Sequence, residues 1–401
     1  MPAPSSAARA PAVGATGITE RSLAPDLARG AMLLVIAVVH AYLFVAPYYA
    51  GGAHSGSLTP LDAVVTGAVT LFAEGRGYPM FAALFGYGLV MVATRQEAAG
   101  RGWRGARAVV RRRGWWLLLF GFLHALLLYS GDILGAYGLI ALLFAGVLRL
   151  APDRLPVRAG AWLVLGSLLY TAAMFALTGL TAPDPGAEAA PIGPLTDAFI
   201  RVSVWPVLTV LLVIASAGPF LVGVWAARRK VLERPERNLA LLRRTALVGI
   251  PVAVLGGVPQ MLVATGLVEV PSSAVAWAFF HLHTVTGYAG GFGYAALVAL
   301  VAVRLGGRRG PVVTALAACG QWSMTGYLLQ SVAWVVLFLP YTLSLNSHVG
   351  VAGAVAVGVA VWLATVVVAE AGRRAGRRGP AETLLRRLTY GPRRPVAERA
   401  R

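Results

Sequence analysis

Charged residues are scarce in this chain of 401 residues: they make up 13% of it, whereas 58% of the residues are apolar. Soluble domains carry about 25% charged residues, so this composition excludes an ordinary soluble protein. The single cysteine, Cys319, excludes an internal disulfide, and no cysteine and histidine residues have the spacing of a zinc site. The first 20 residues lack the basic start and apolar run of a signal peptide, so we predict a disordered cytoplasmic lead.

Apolar runs of membrane length recur along the chain and predict an all-α, polytopic bundle of about ten transmembrane helices. The runs lie at about 29–49, 78–94, 114–130, 133–149, 159–179, 203–227, 245–268, 273–303, 311–340 and 350–370. Residues 61–75 are interpreted as an interfacial or re-entrant segment, and the Pro/Gly-rich stretch 181–197 as a loop. The domain organisation predicted is a lead over 1–20, a transmembrane domain over 21–372 and a basic cytoplasmic tail over 373–401.

The net charge of +19 predicts the topology of the bundle. Every basic residue except Arg76 and Arg201 falls in a segment that faces the cytoplasm if both termini lie there, as the positive-inside rule requires. The arginines recur in each inner loop instead of forming one patch with aromatic residues, which excludes a nucleic-acid partner. We therefore predict a multi-pass protein of the cell membrane that contacts lipids and has both termini in the cytoplasm.

The first span carries the best candidate for chemistry within the membrane, because ionisable groups are costly there. Arg29 and His40 are eleven residues apart, so they lie on one face of a helix, separated by about 16 Å. This spacing suits an arginine that binds the phosphate of acyl-CoA and a histidine that takes a proton or carries an acyl group. Asp26, one turn earlier, is placed to orient Arg29. The alternative is an interfacial arginine anchor and a histidine that bonds a neighbouring helix.

Two further histidine regions remain open to more than one interpretation. His124 lies in the outer half of the third span, and Asp132 either caps the next helix or pairs with a histidine. His281 and His283 are two residues apart, so they point to different faces and at most one, taken as His281, contributes to a pocket. The nearby pair Gly287 and Gly291 is interpreted as a helix-packing feature.

Glu74 and Arg76 break the charge rule at the predicted outer side. They form either an ordinary ion pair of an outer loop or a place where Arg76 meets an anionic acceptor or a lipid headgroup. Both residues are therefore included among the candidate substrate-binding residues.

Five motifs resemble the DUF418 (YeiB-like) family of bacterial multi-span proteins. They are Asp26-Leu-Ala-Arg29-Gly30, Phe81-Ala-Ala-Leu-Phe85-Gly86-Tyr-Gly88, Gly131-Asp132-Ile133-Leu134, Gly320-Gln-Trp-Ser-Met-Thr325-Gly-Tyr327-Leu-Leu-Gln330-Ser331 and the tail motif Gly379–Gly391. The family in turn resembles the transmembrane acyltransferases, among them the acyltransferase-3 proteins, whose first span carries an arginine, ten residues and a histidine. The resemblance implies a bacterial inner-membrane location. Gln321, Tyr327 and Gln330, which lie in the fourth motif, are included among the candidate substrate-binding residues.

The sequence is compatible with three functions. The leading prediction is transfer of an acyl group from cytoplasmic acyl-CoA, a co-substrate, to a hydroxyl or amine of a glycan, lipid or secondary metabolite. His40, His124 and Asp132 are its candidate catalytic residues; no metal and no tightly bound cofactor is expected. The second prediction is a transporter of a small hydrophobic molecule, and the third is a non-catalytic membrane partner. In each case the amphipathic tail, Glu382 to Tyr390, is expected to lie on the inner leaflet.

Overall fold

A computed structural model of the protein describes residues 23–45, 58–181, 193–306 and 308–391. These residues form thirteen α-helices joined by loops and short 3₁₀ turns, and no strand occurs among them. The helices are α1 Leu23–Leu43, α2 Pro60–Phe72, α3 Gly77–Ala98, α4 Gly102–Leu127, α5 Ile133–Leu143, α6 Arg154–Thr181, α7 Pro194–Arg228, α8 Leu239–Ala264, α9 Ser273–Leu305, α10 Pro311–Gln321, α11 Ser323–Phe338, α12 Val351–Arg374 and α13 Pro380–Tyr390. The predicted lead over 1–20 and most of the loop 181–197 lie outside the described residues.

Within the described residues, seven segments are long and apolar enough to cross a membrane. They are Leu23–Leu43, Pro60–Ala98, Arg154–Gly179, Pro194–Arg228, Pro235–Ala264, Ser273–Leu305 and Val351–Arg374. Large apolar side chains are exposed on the outer faces of the bundle, for example Val164 on α6 and Leu247 and Leu255 on α8. Soluble proteins rarely expose large apolar patches, so the chain is an integral membrane protein. The all-α class is confirmed, while the count of about ten spans and the side on which the termini lie stay predictions.

The bundle is held together by close helix pairs. α8 packs along α9, α3 and α6 both pack along α7, α4 packs along α5, and α1 lies against α10 and α12. At the crossing of α1 and α10, a Cβ on Gly320 would overlap the backbone carbonyl of Asp26. Only glycine permits this approach, which brings the motif around Gly320 against the start of α1.

Two segments depart from the simple pattern of apolar runs. The run 311–340 is divided at Trp322 into α10 and α11, and the segment 61–75 covers most of α2. Thr59 caps α2 by accepting a hydrogen bond from the Asp62 amide at 3.1 Å. The interruption at Trp322 leaves the first amides of α11 without partners in their own helix, and these amides bind a residue of the tail, as described below.

Candidate functional site

A cavity of about 720 Å³ enters the bundle from an arginine-rich end. Seven arginines line it: Arg29, Arg95, Arg113, Arg373, Arg377, Arg378 and Arg386. Asp26, Glu233 and Glu382 line it as well, so the arginines outnumber the acidic residues. The rest of the lining is largely apolar and aromatic and includes Phe81, Phe85 and Tyr327. Arg95 and Phe85 lie about 15 Å apart along α3, so the cavity joins a basic mouth to an apolar interior.

One face of α1 runs along this cavity. Arg29, Leu33 and Ile36 line it in turn, and His40 follows one turn later on the same face. The sequence therefore placed Arg29 and His40 correctly relative to each other. Arg29 lies at the basic mouth, and His40 lies beyond the lining residues of α1.

Arg29 is held at the mouth by Asp26, which in turn accepts a hydrogen bond from Gln321. Its guanidinium donates to Asp26 at 2.9 Å, and the Gln321 amide donates to the other oxygen of the same carboxylate at 3.1 Å. The close crossing at Gly320 brings Gln321 within reach of Asp26. The predicted role of Asp26 in orienting Arg29 thus has a geometric basis, and Gln321 supports it from α10.

The aromatic ring of Tyr327 connects the cavity with both candidate histidines. Tyr327 lines the cavity, its ring stacks on His124 with the centroids 5.0 Å apart, and its centroid lies 6.4 Å from that of His40. Tyr129 packs on His40, with ring centroids 5.1 Å apart. His40 Nδ1 is buried and has no hydrogen-bond partner among the described residues. Both histidines therefore pack against Tyr327, and we call His40, His124, Tyr129 and Tyr327 the histidine cluster.

His124 lies between a carboxylate and a hydroxyl. Its Nδ1 is 3.3 Å from an Asp132 carboxylate oxygen, although the pair lacks hydrogen-bond geometry, and its Nε2 is 2.8 Å from Ser331 Oγ. All three residues are buried. Asp132 also caps α5 by accepting from the Leu134 and Gly135 amides. The structure therefore shows Asp132 as a helix cap that also lies close to His124, while its role as the partner of this histidine stays a prediction.

A close approach between α4 and α5 makes this arrangement possible. A Cβ on Gly121 would overlap the Asp132 carboxylate and the Gly135 amide. His124 follows Gly121 by three residues, so it lies on nearly the same face of α4. Glycine at position 121 therefore allows Asp132 to approach the helix that carries His124.

Gln330, a predicted substrate-binding residue, is instead fully buried between helices. Its amide donates to the Leu33 carbonyl of α1 at 3.4 Å, and it does not line the cavity. This contact joins α11 to α1 directly behind Leu33, which does line the cavity.

Arg76 is not exposed, although its interpretation as a residue that meets an acceptor or a lipid headgroup requires exposure. Its side chain is fully buried, and its guanidinium donates to the backbone carbonyl of Glu74 and, at 2.7 Å, to that of Ala253. The same group contacts both ring nitrogens of His283, at 3.0 and 3.2 Å. A Cβ on Gly257 or Gly290 would press on this arginine. Neither Arg76 nor Glu74 lines the cavity.

His281 and His283 point to different neighbours, as their spacing predicts. His281 lies 3.0 Å from the Thr171 hydroxyl and stacks on Trp277, whereas the buried His283 contacts Arg76. His281, the histidine chosen from the sequence, does not line the cavity. Gly287 and Gly291 pack on the backbone of Gly75 and Arg76. Their lack of a side chain lets the turn before α3 lie close to α9.

Arg201, the other basic residue placed outside by its position in the sequence, closes the end of α4. It donates to the carbonyls of Ala125 and Leu126 at 3.2 and 3.0 Å and pairs with Asp197. Tyr341 also donates to Asp197, at 2.6 Å, and burial together with this hydrogen bond raises the pKa of Tyr341. A cation at the carboxyl end of a helix is favourable, and here it fixes the residues that directly follow His124.

The tail helix α13 packs on protein and forms part of the cavity wall. Glu382 accepts hydrogen bonds from the amides of Met324 and Thr325, at 2.7 and 3.1 Å, and from the Thr325 hydroxyl at 2.6 Å. Leu385 is buried against the core, and Thr389 accepts from Arg112 of α4. One face of the segment therefore covers α11 and α4, and its position at the inner leaflet stays a prediction.

Replacing Glu382 with alanine is expected to release α13 from the bundle. Hydrogen bonds to a charged group contribute about 1.5–3 kcal/mol each, so losing this acceptor should raise tryptic cleavage between Arg386 and Arg387 about 10–100-fold. Mass spectrometry of the detergent-solubilised protein measures this rate. Glu370→Ala is the matched control, because Glu370 pairs with Arg373 and Arg374 of its own helix. An unchanged rate in Glu382→Ala would show that the contact does not hold the tail.

Several residues of the site were not singled out from the sequence. Ser331 lies inside a quoted motif, but an isolated serine in an apolar helix carries no distinct pattern. His283 and Glu382 gain their partners only through the fold. Among the described residues, no group of three or more histidine, cysteine, aspartate or glutamate residues is placed to hold a metal ion.

Comparison with known proteins gives the chain a context. Residues 226–392 match the family described as "Protein of unknown function (DUF418)". The chain is 29% identical over 395 residues to the uncharacterized protein YeiB of Escherichia coli (strain K12), covering 92% of this chain and 96% of that protein. It is 27% identical over 364 residues to the uncharacterized protein YxaH of Bacillus subtilis (strain 168), covering 85% of each. These similarities support the DUF418 family for this integral membrane protein.

Proposed function

We propose that the protein transfers an acyl group from acyl-CoA to a hydroxyl or amine acceptor within the membrane. The observation that carries this proposal is the cavity that leads from seven arginines to Tyr327, whose ring contacts both His40 and His124. The basic mouth of this cavity suits an anionic, water-soluble donor, and its apolar interior suits an acyl chain. In this proposal the basic mouth faces the cytoplasm of a bacterial cell, and the protein belongs functionally with the transmembrane acyltransferases.

The mouth supplies the groups that a CoA donor requires. Arginine binds phosphate through two parallel hydrogen bonds, and Arg29 is already oriented by Asp26. The apolar lining beyond it, including Leu33 and Phe85, suits the uncharged arm of the donor and its acyl chain. The thioester would then lie near Tyr327, within reach of the histidine cluster.

His40 is the proposed base for the acceptor. A general base must reach the proton that it removes and must be free to accept it. Its buried Nδ1 has no partner in the part of the chain that the structure describes, so an acceptor hydroxyl can occupy that position. The acceptor oxygen or nitrogen attacks the acyl carbon as His40 takes its proton, and a glycan, a lipid or a secondary metabolite can supply such a group.

Replacing Arg29 with alanine is expected to weaken binding of coenzyme A about 10–100-fold, because a charge-assisted hydrogen bond contributes about 1.5–3 kcal/mol. Coenzyme A itself is the probe, since every acyl-CoA donor shares its phosphates, and calorimetry on the purified protein in detergent measures the affinity. Arg158→Ala is the control, because Arg158 is exposed and does not line the cavity.

Two outcomes would contradict the proposal in different ways. If the wild-type protein does not bind coenzyme A, the donor site is absent. Transport of a small hydrophobic compound by proteoliposomes that contain no acyl donor would then favour the transporter. If Arg29→Ala binds coenzyme A like the wild type, the donor is bound without Arg29.

A further inference from the structure

We propose that Ser331 takes up the acyl group as a covalent ester, with His124 as its base and Asp132 orienting His124. This inference rests on the proposed acyl transfer and concerns its first half. Ser331 Oγ lies 2.8 Å from His124 Nε2, and the Asp132 carboxylate lies 3.3 Å from Nδ1 on the other side of the ring. A hydroxyl, an imidazole and a carboxylate in this order form the arrangement that activates a serine nucleophile.

The surroundings of these residues support a prepared site. Asp132 is fixed by two amides of α5, and the Arg201 contacts fix the backbone just after His124. His124 Nδ1 has no hydrogen-bond partner among the described residues, so the proposed site requires a small rotation of the ring that directs a proton on Nδ1 to Asp132. His124 Nε2 is then free to accept the Ser331 proton. The Ser331 hydroxyl also lies 3.1 Å from the Tyr327 carbonyl, an ordinary bond for a helical serine. The Ser331 hydroxyl can therefore donate to the Tyr327 carbonyl or to His124 Nε2. The reaction requires the rotamer in which it donates to His124.

Ser331 lies one helical turn beyond Tyr327, the residue at which the cavity meets the histidine cluster. A thioester that reaches Tyr327 is thus brought near the serine by the geometry of α11. Movement of the Tyr327 side chain completes the path, because Ser331 itself is buried and does not line the cavity.

The proposed reaction has two balanced steps. In the first, Ser331 Oγ bonds to the acyl carbon, the carbon–sulfur bond breaks, coenzyme A leaves as a thiolate, and the serine proton stays on His124. In the second, the acceptor attacks the ester carbon and gives its proton to His40. The bond from carbon to Ser331 Oγ then breaks, and His124 returns its proton to that oxygen. His40 releases one proton to water, which matches the proton taken up by the thiolate.

The test is covalent labelling of the purified protein with radiolabelled acetyl-, butyryl- and octanoyl-CoA, followed by peptide mass spectrometry. We expect an acyl ester on Ser331 in the wild type, and at least tenfold less label in Ser331→Ala and in His124→Ala. Ser167→Ala is the matched control, because Ser167 is a buried serine that donates to a carbonyl of its own helix, Val164 at 2.9 Å. It should be labelled like the wild type.

A second variant separates chemistry from folding. Ser331→Cys keeps the size of the side chain, and its acyl adduct should become a thioester that neutral hydroxylamine removes, whereas the serine ester resists this treatment. If acyl transfer occurs but no donor labels position 331, transfer is direct and this inference is wrong while the proposed function stands. If no donor yields either transfer or label, the proposed function fails as well.

Discussion

Replacing His40 with alanine is expected to lower acyl transfer at least about 100-fold and to leave the protein folded in the membrane. A positioned general base contributes about 10²–10⁴-fold to the rate. Folding should survive because His40 Nδ1 has no hydrogen-bond partner among the described residues, so no hydrogen bond is lost at that atom. The measurement is the transfer of label from radiolabelled acyl-CoA to acceptors in membranes that contain the variant, with size-exclusion chromatography as the test of folding.

His348→Ala is the control for the loss of a histidine, since His348 is exposed in the loop before α12. Transfer by His40→Ala at the wild-type rate would rule out His40 as the base. The variant also separates the two halves of the reaction. Because His124 and Ser331 are intact, His40→Ala should still form the acyl ester and should accumulate it, whereas Ser331→Ala should form none.

The substitution with the largest expected effect on stability is Arg76→Ala. Its guanidinium lies fully buried against two backbone carbonyls and the ring of His283. Each buried polar group left without a partner costs about 1–3 kcal/mol, and the space left by the side chain adds to this. We therefore expect the free energy of unfolding to fall by about 3–5 kcal/mol, measured by denaturant titration in mixed micelles.

Arg76→Lys distinguishes the contributions to this loss. An ammonium keeps the charge but cannot hold the fork of contacts to Glu74, Ala253 and His283, so an intermediate loss is expected. Arg237→Ala, at an exposed position before α8, should leave the stability nearly unchanged. If Arg76→Ala unfolds at the wild-type denaturant concentration, this buried arginine does not stabilise the bundle.

Local periodicity was sufficient to predict part of the site. The spacing of Arg29 and His40 fixes their common face because the helix repeat is a property of the backbone. The same holds for the divergence of His281 and His283, and for the position of Asp132 directly before a helix. These are relations within one helix or at its end, for which no knowledge of packing is needed.

The remaining features depend on contacts that local patterns do not contain. Arg76 was interpreted as an outer residue because the charge rule sorts residues by loop and does not detect a guanidinium turned inward. His124 and Ser331 are far apart in the sequence and meet only through packing of α4 and α11. The interruption at Trp322 lies in an apolar run with no proline or charge to mark it, and Glu382 of the tail is its partner.

The contact of Glu382 with α11 has a consequence for how the cavity attracts anions. The amino-terminal end of a helix carries a partial positive charge, and at α11 this end already faces a carboxylate. The attraction at the mouth therefore comes from the arginine side chains, whose field in water decays over about 10 Å at 0.1 M ionic strength. Salt concentration should thus govern how readily the protein gathers an anionic molecule, and an affinity has meaning only with its ionic strength stated.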